Sequence, residues 1–268
     1  MAITKVGRIA ASISTRYVGF WPCFQAAPDS LTTLIDRSGA GNNVPAGASG
    51  IGASAWSNAN QFTSSNAATT GAALPKALLA AFNFNSSVRD SLVFSVRVST
   101  PNSNAGDTIM RTGNGSVTGG WWLETNSTGY TGAAPGVRLK MYDQSTGAQA
   151  PMGYASLPAN TETTICFIID GPGNQFYLFK DGVLATVSSG VNPTTLSGVI
   201  TTSMNVLVAA ALDPYFGGAS PGVTDVKKLR GCHIAIVPAS AGAIADPVAL
   251  AARLHQYPYT ALTARELP

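Results

Sequence analysis

The sequence TTICFIIDGPGNQFYLFKDGVLATV, residues 163–187, predicts three consecutive antiparallel strands. Thr164–Asp170 is apolar on both faces, which is typical of a strand buried in the middle of a layered protein. A Gly-Pro-Gly-Asn turn then leads into Gln175–Lys180. Asp181-Gly182 is a residue pair preferred in two-residue type I′ turns, so we predict that Val183–Val187 runs back as the third strand.

Short apolar segments with a period of two residues occur along the rest of the chain. The clearest is Ser91–Thr100, in which every second residue from Leu92 to Val98 is apolar. Further strands are predicted at Tyr17–Phe24, Asp107–Arg111, Gly120–Glu124, Val137–Tyr142, Asn205–Leu212 and Cys232–Pro238. One helix is expected after Asp246, which is a good N-cap residue, and it ends before Pro258.

Many short strands and one short helix predict an all-β fold, an antiparallel β-sandwich of the jelly-roll kind with one short C-terminal helix. A chain of 268 residues is compatible with one such domain. We therefore expect residues 17–268 to form the sandwich. Residues 1–16 have no core pattern of their own and are predicted to be an N-terminal arm that docks on a partner.

The charge of the chain limits its partners. Charged residues make up only 11% of the sequence and the net charge is +3, which is too small to indicate a nucleic-acid partner. Lys227, Lys228 and Arg230 form the one local basic cluster and are interpreted as a solvated loop. No secretory signal and no membrane-spanning segment is recognisable, so we expect the protein to be made and kept in a reducing cytoplasm until it is released.

Four segments resemble parts of LamG-like domains, which belong to the concanavalin A-like lectins and glucanases. Residues 36–43 (DRSGAGNN) resemble the Asp-x-Ser-Gly-x-Gly-Asn turn after the first strand of that family. Leu92–Val98 resembles its long central strand, and residues 176–184 (FYLFKDGVL) resemble its strand–Asp-Gly–strand hairpin. Gly231–Val237, with the helix after Asp246, resembles its last core strand and closing helix. A Trp-His pair common in the family is replaced here by residues 161–164 (TETT), as in a divergent branch.

The resemblance implies a function as well as a fold. Stand-alone domains of this kind are similar to virion proteins of tailed bacteriophages. This implies a non-enzymatic structural or decorating protein of the head surface, collar or tail, located in a virion that is assembled in the host cytoplasm. Its partners would be other virion proteins or copies of itself. The alternative is a lectin-like adhesion module that binds a host surface glycan. Neither hypothesis involves a nucleic acid or a membrane.

The ionisable residues do not form a recognisable catalytic set. Glucanases of similar fold need two carboxylates about 5–5.5 Å apart, which neighbouring positions of one strand provide. The three glutamates of this chain are Glu124, Glu162 and Glu266, and none has another acid at such a spacing. A Ser-His-Asp triad would have to use His233 or His255, and we predict that both are structural. We therefore expect no enzyme activity.

Calcium is the one cofactor that the sequence suggests, and none is otherwise expected. Asp36, Asn42 and Asn43 offer the oxygen ligands that calcium takes from loops, and LamG-like relatives often bind calcium at the rim of the sandwich. The same residues are explained by an Asx-turn in which Asp36 caps its own loop, and this is the interpretation that we favour.

Trp121 and Trp122 are the candidates for a glycan-binding or subunit-binding surface. Adjacent strand residues point to opposite faces, so one ring is predicted to lie in the core while the other is available to a sugar or a neighbouring protein. Cys23, Cys166 and Cys232 each lie in an apolar run and are predicted to be buried free thiols.

Overall fold

The computed structural model describes residues 19–21, 33–34, 36–45, 56–57, 61–64, 72–73, 88–99, 107–111, 120–126, 136–142, 149–187, 192–196, 215–216, 227–260 and 262. Within these residues the strands are β1 (Gly19–Trp21), β2 (Thr33–Leu34), β3 (Val44–Pro45), β4 (Trp56–Ser57), β5 (Gln61–Ser64), β6 (Ala72–Ala73), β7 (Ser91–Ser99), β8 (Asp107–Arg111), β9 (Gly120–Asn126), β10 (Gly136–Tyr142), β11 (Gln149–Ser156), β12 (Thr163–Asp170), β13 (Gln175–Lys180), β14 (Val183–Leu184), β15 (Thr194–Thr195), β16 (Tyr215–Phe216) and β17 (Lys227–Val237). The helix α1 spans Pro247–Gln256 and follows a short 3₁₀ helix at Ala239–Ala241. The N-terminal arm (1–16), Cys23 and the predicted strand Asn205–Leu212 lie outside the described residues.

The strands form two antiparallel sheets, which confirms the predicted β-sandwich with one short C-terminal helix. In the larger sheet the strand order is β14-β13-β12-β7-β17-β5-β4, and β1 pairs with β17 while β15 pairs with β13. In the smaller sheet the order is β11-β10-β9-β8-β16-β6, and β2 pairs separately with β3. Among the described strands neither sheet closes on itself, and β11 and β14 lie at the ends of these two strand orders.

The middle of the larger sheet is buried on both faces, as the doubly apolar pattern of β12 predicts. Every residue of β12 is buried, and Phe94 of β7 is the register partner of Phe167. The two phenyl rings lie 5.1 Å apart on one face of the sheet. On the other face, Cys166 and Ile168 belong to a core cluster that includes residues of α1.

The helix α1 closes this second face. The side chain of Asp246 accepts a hydrogen bond from the N–H of Ala249 at 2.9 Å and Pro247 is the first helical residue, so the predicted N-terminus is confirmed. Leu250 and Leu254 are buried against the sheet, as their spacing of four residues requires. Across the described part of the chain, no helix has the length and apolarity that a membrane span requires.

Two buried acids fix the loop that leads into α1. Asp90 accepts a hydrogen bond from the N–H of Ala239 at 2.8 Å, next to the 3₁₀ helix. Asp170 accepts one from the N–H of Ile244 at 3.3 Å and another from Gly173 at 3.1 Å. Because buried backbone donors must be satisfied, these carboxylates determine where the helix crosses the sheet.

The strands differ from the sequence-based prediction in several places. The strand β11 and short strands such as β5 and β15 were not predicted, and two further differences have a visible cause. The third strand of the hairpin stops at Leu184, because the side-chain amide of Asn192 takes over the outer edge of β13. It accepts from the N–H of Leu178 at 3.0 Å and donates to the carbonyls of Leu178 and Ala185, both at 2.7 Å. The basic cluster predicted as a loop, residues 227–230, is instead the first part of β17, because it pairs with both β5 and β7.

Candidate functional site

The Asp181-Gly182 turn has the predicted conformation, with a φ of +50° at Asp181 and +78° at Gly182. Two hydrogen bonds join it to the start of β12. The N–H of Asp181 donates to the carbonyl of Thr164 at 2.8 Å, and Oδ1 of Asp181 accepts from the N–H of Thr164 at 2.9 Å. The turn is therefore held by β12, every residue of which is buried, and this fixes its position relative to the neighbouring side chains.

Side chains from four separate segments meet beside this turn and form what we call the polar patch: Arg97, Glu162, Thr164, Asp181, His255 and Tyr259. Nδ1 of His255 lies 3.0 Å from Oγ1 of Thr164 and 3.9 Å from Oδ1 of Asp181. Thr164 is the register partner of Arg97 in β7, so the sheet itself brings the two halves of the patch together.

Arg97 is the centre of the second half of the patch. Its Nε lies 3.2 Å from Oε1 of Glu162, and its guanidinium carbon is 5.9 Å from the centroid of the Tyr259 ring. Side chains of Arg97 and Glu162 are 25% and 32% exposed, so both reach solvent. A planar cation, a carboxylate, an imidazole and a phenol ring are thus available on one surface.

The contacts of His255 are not those of a hydrolytic triad. A Ser-His-Asp triad places the nucleophile and the carboxylate on opposite ring nitrogens, so that the proton passes through the ring. Here Thr164 and Asp181 both face Nδ1 of His255, and Thr164 is buried. Glu162 pairs with Arg97.

The hairpin also lines a groove of about 310 Å³ between β11 and β14. Its walls are formed by Ala155, Ser156, Lys180, Asp181, Val183, Leu184, Ala185 and Thr186. Val183 is 66% exposed and Leu184 is 38% exposed, although both are apolar. The groove therefore combines an apolar sheet edge with one cation and one carboxylate.

The loop with the predicted calcium ligands is closed by its own hydrogen bonds. Oδ1 of Asp36 accepts from the N–H of Phe20 at 2.9 Å and of Ser38 at 2.8 Å. Oδ2 accepts from the hydroxyl of Ser38 at 2.8 Å and the N–H of Asn42 at 2.9 Å. Oδ1 of Asn43 accepts from the N–H of Asp36 at 2.9 Å. This is the geometry of the Asx-turn interpretation, and calcium would have to compete with these donors. Calcium binding by Asp36, Asn42 and Asn43 stays a prediction.

Both candidate tryptophans lie on β9 in the smaller sheet, away from the turn in sequence. Trp121 is the register partner of Met141, and Trp122 is the partner of Lys140 and of Arg111. Their side chains lie outside the described part of the structure, so the prediction of one core ring and one surface ring stays a prediction.

Two of the three cysteines and His233 are buried, whereas the prediction for Cys23 lies outside the described residues. Cys166 and Cys232 are free and buried, as predicted, and burial raises the pKa of the Cys166 thiol. His233 is completely buried and stacks on Phe20 with ring centroids 4.4 Å apart. Burial lowers the pKa of His233 to about 4, which makes the ring neutral at physiological pH.

Comparisons with known proteins find similarity of structure and not of sequence. No protein-family model matches the chain, and no curated protein matches it. A structure of botulinum neurotoxin type C, whose cell entry depends upon interaction with two ganglioside molecules, superposes with a TM-score of 0.54 at 10% identity, over 93% of this chain and 53% of that one. The binding domain of botulinum neurotoxin DC in complex with SialylT superposes with a TM-score of 0.52 at 11% identity, over 91% and 52%.

A third match is the receptor-binding domain of botulinum neurotoxin mosaic serotype C/D, with a TM-score of 0.50 and 14% identity over 83% of this chain and 48% of that one. At these identities the likeness shows the fold alone. The chain spans about half the length of the domains it matches. It is a β-sandwich of the kind found in these receptor-binding domains.

Proposed function

We propose that this chain is a non-enzymatic binding domain that recognises glycans at the polar patch. The observation that carries the proposal is the convergence of Arg97, Glu162, His255 and Tyr259 on one rigid surface. Support for the ligand class comes from the fold, because two of the matched structures are described with a ganglioside interaction and with SialylT.

The chemistry of the patch suits a sugar. A tyrosine ring presents an apolar face to the C–H groups of a pyranose ring while its hydroxyl remains polar. Carboxylate, guanidinium and imidazole groups supply the directional hydrogen bonds that fix sugar hydroxyls. Because Arg97, Thr164 and His255 lie on β7, β12 and α1, these side chains need little ordering on binding.

The proposal is tested by screening the purified protein on a glycan array and titrating the strongest ligand by calorimetry. We expect Tyr259→Ala to weaken binding by about tenfold, because it removes a stacking surface. Tyr257→Ala is the matched control, since Tyr257 belongs to the same segment, is 51% exposed and is not part of the patch. Its affinity should equal that of wild type.

Two results would contradict the proposal in different ways. If no glycan binds, the proposed function is wrong. If Trp122→Ala abolishes binding while Tyr259→Ala does not, glycan recognition stands but it occurs on the smaller sheet, where the sequence placed it.

A structural role in a virion is the second candidate function, and the exposed edge of the larger sheet favours it. Val183 and Leu184 give β14 an apolar surface that a neighbouring subunit would cover, and an open sheet edge tends to pair or to be covered. We expect wild-type protein to self-associate in analytical ultracentrifugation and the double variant Val183→Ser, Leu184→Ser to be monomeric. Equal sedimentation of both proteins would contradict this role for the edge. The docking role of residues 1–16 and the location in a virion stay predictions.

A further inference from the structure

Arg97 is the one charged residue of β7, and its register partners are Thr164 in β12 and Arg230 in β17. Its Nε is buried and has no hydrogen-bond partner among the described residues, although it lies 3.2 Å from the Glu162 carboxylate. The contact with Glu162 is therefore an ion pair with poor hydrogen-bond geometry. A guanidinium has five N–H donors in a fixed plane, so most of its capacity is not used by this pair.

The surroundings of Arg97 limit the directions in which its remaining N–H donors can bind a ligand. The Tyr259 ring limits the movement of the Arg97 guanidinium, and the register pairing with Thr164 fixes the backbone of Arg97. The side chain is 25% exposed, which leaves its outer end accessible from solvent. The guanidinium is partly desolvated and already oriented. Binding of an anion therefore costs little conformational entropy of the Arg97 side chain.

We propose that Arg97 binds the carboxylate of an acidic sugar, which makes the polar patch selective for carboxylated over neutral glycans. This inference rests on the proposed glycan-binding function. The planar fork of a guanidinium matches the two oxygens of a carboxylate and forms two parallel charge-assisted hydrogen bonds. The sugar ring attached to that carboxylate would lie over Tyr259, while the hydroxyls would reach His255 and Asp181.

The neighbouring charges set the expected strength of this interaction. Glu162 and Asp181 oppose an incoming anion, whereas Arg253, which donates from Nη1 to the carbonyl of Thr260 at 2.9 Å, adds a cation on the same side of the sheet. The register partner of Arg97 in β17 is a further cation, Arg230. The carboxylate of Glu162 competes directly with the ligand for Arg97. Removing that charge should therefore strengthen the binding of an acidic sugar.

The experiment compares 3′-sialyllactose with lactose by calorimetric titration of the full chain. We expect the acidic trisaccharide to bind more tightly than lactose. Arg97→Gln should weaken the binding of the trisaccharide by about 10- to 100-fold and that of lactose by only about threefold, because a sugar hydroxyl loses one neutral hydrogen bond whereas a carboxylate loses a charge-assisted pair. Arg97→Lys keeps the positive charge but lacks the planar pair of N–H donors. Its affinity for 3′-sialyllactose should therefore lie between those of Arg97→Gln and wild type. Glu162→Gln should raise the ratio of the affinity for 3′-sialyllactose to that for lactose, because it removes the carboxylate that competes for Arg97.

The outcomes separate this inference from the proposed function. Equal affinities for the two sugars, or full binding by Arg97→Gln, overturn the role of Arg97 but leave glycan binding intact. A wild-type affinity of Arg97→Lys for 3′-sialyllactose would show a general anion site. Binding of 3′-sulfolactose as tightly as 3′-sialyllactose would show the same, and either result overturns selectivity for carboxylates. Failure to bind any glycan overturns both. Unfolding curves of each variant identify a loss of binding that is due to a loss of folding.

Discussion

Replacing Gly182 by valine is expected to lower the free energy of unfolding by about 2–4 kcal/mol, from two separate causes. The first is backbone strain, because Gly182 has a φ of +78° and a β-branched residue rarely adopts that conformation. The second is crowding, because a Cβ at this position would lie 3.0 Å from Cβ of His255 and 3.2 Å from Cα of Ala252. Urea unfolding of wild type and variant measures the difference.

Gly39→Val is the matched control for this prediction. Gly39 has a φ of +90°, but no described atom lies within 4 Å of the Cβ that would be added. This variant therefore carries the backbone strain without the contact with α1. We expect it to be destabilised by about 1–2 kcal/mol, and the excess in Gly182→Val measures the contact between hairpin and helix. If the two variants are equally stable, the turn does not pack on α1. If Gly182→Val unfolds like wild type, the strand register is wrong.

Local sequence predicted those elements whose conformation depends on neighbours along the chain. The Asp181-Gly182 turn, the N-terminus of α1 at Asp246 and most hydrogen bonds of the loop at Asp36 follow from residues that are close together in the sequence. Each depends on a side chain that satisfies nearby backbone groups, or on a backbone conformation that few residues adopt. Such signals do not require knowledge of the tertiary fold.

The polar patch could not be predicted in the same way. Arg97 and Thr164 are register partners across two strands, and His255 and Tyr259 arrive from the end of the chain. Their proximity depends on the order of strands and on where α1 crosses the sheet. One signal was present: Arg97 interrupts an otherwise uncharged strand, and a charge in a central strand needs a partner.

The basic cluster at residues 227–230 was predicted as a loop although it is part of a strand. Charge and a following strand favoured a solvated loop, but the cluster pairs with β5 on one side and β7 on the other. Charged side chains do not prevent pairing, since a strand exposes alternate residues to solvent. The pairing partners of this segment are far away in the sequence. Local composition therefore could not indicate that the segment is a strand.

His233 was predicted to be structural, and its surroundings give that role a measurable consequence. Nδ1 lies 3.2 Å from the carbonyl of Gly231, and Nε2 lies 3.0 Å from the carbonyl of Thr260. A neutral imidazole has one N–H, so it donates to only one of these two oxygens. Protonation would supply the second donor, yet burial is the larger effect and, together with the cation of Arg253, keeps the pKa of His233 at about 4.

The stability of the fold is therefore expected to fall as the pH drops from about 6.5 to about 4. In this window the unfolded chain binds a proton at residue 233, whose ordinary pKa is 6.5, whereas the folded chain does not. The unfolded state thus binds more protons, and the free energy of unfolding decreases by up to about 1.4 kcal/mol per pH unit, or about 3 kcal/mol in total. Above pH 6.5 this residue contributes no slope.

Urea unfolding at a series of pH values from 7.5 to 4 measures this dependence, and His233→Gln isolates it. Glutamine keeps a donor and an acceptor but does not titrate, and the carboxylates that also titrate below pH 5 are common to both proteins. We expect the variant to be less stable than wild type at pH 7.5, because it loses the stacking on Phe20. The difference in the free energy of unfolding should shrink steadily below pH 6.5, because only the unfolded wild-type chain gains a proton at residue 233. Parallel curves for the two proteins across the whole range would show that His233 takes up its proton equally well in the folded and unfolded states, and that the closed environment formed by Phe20, Gly231 and Thr260 does not hold it neutral.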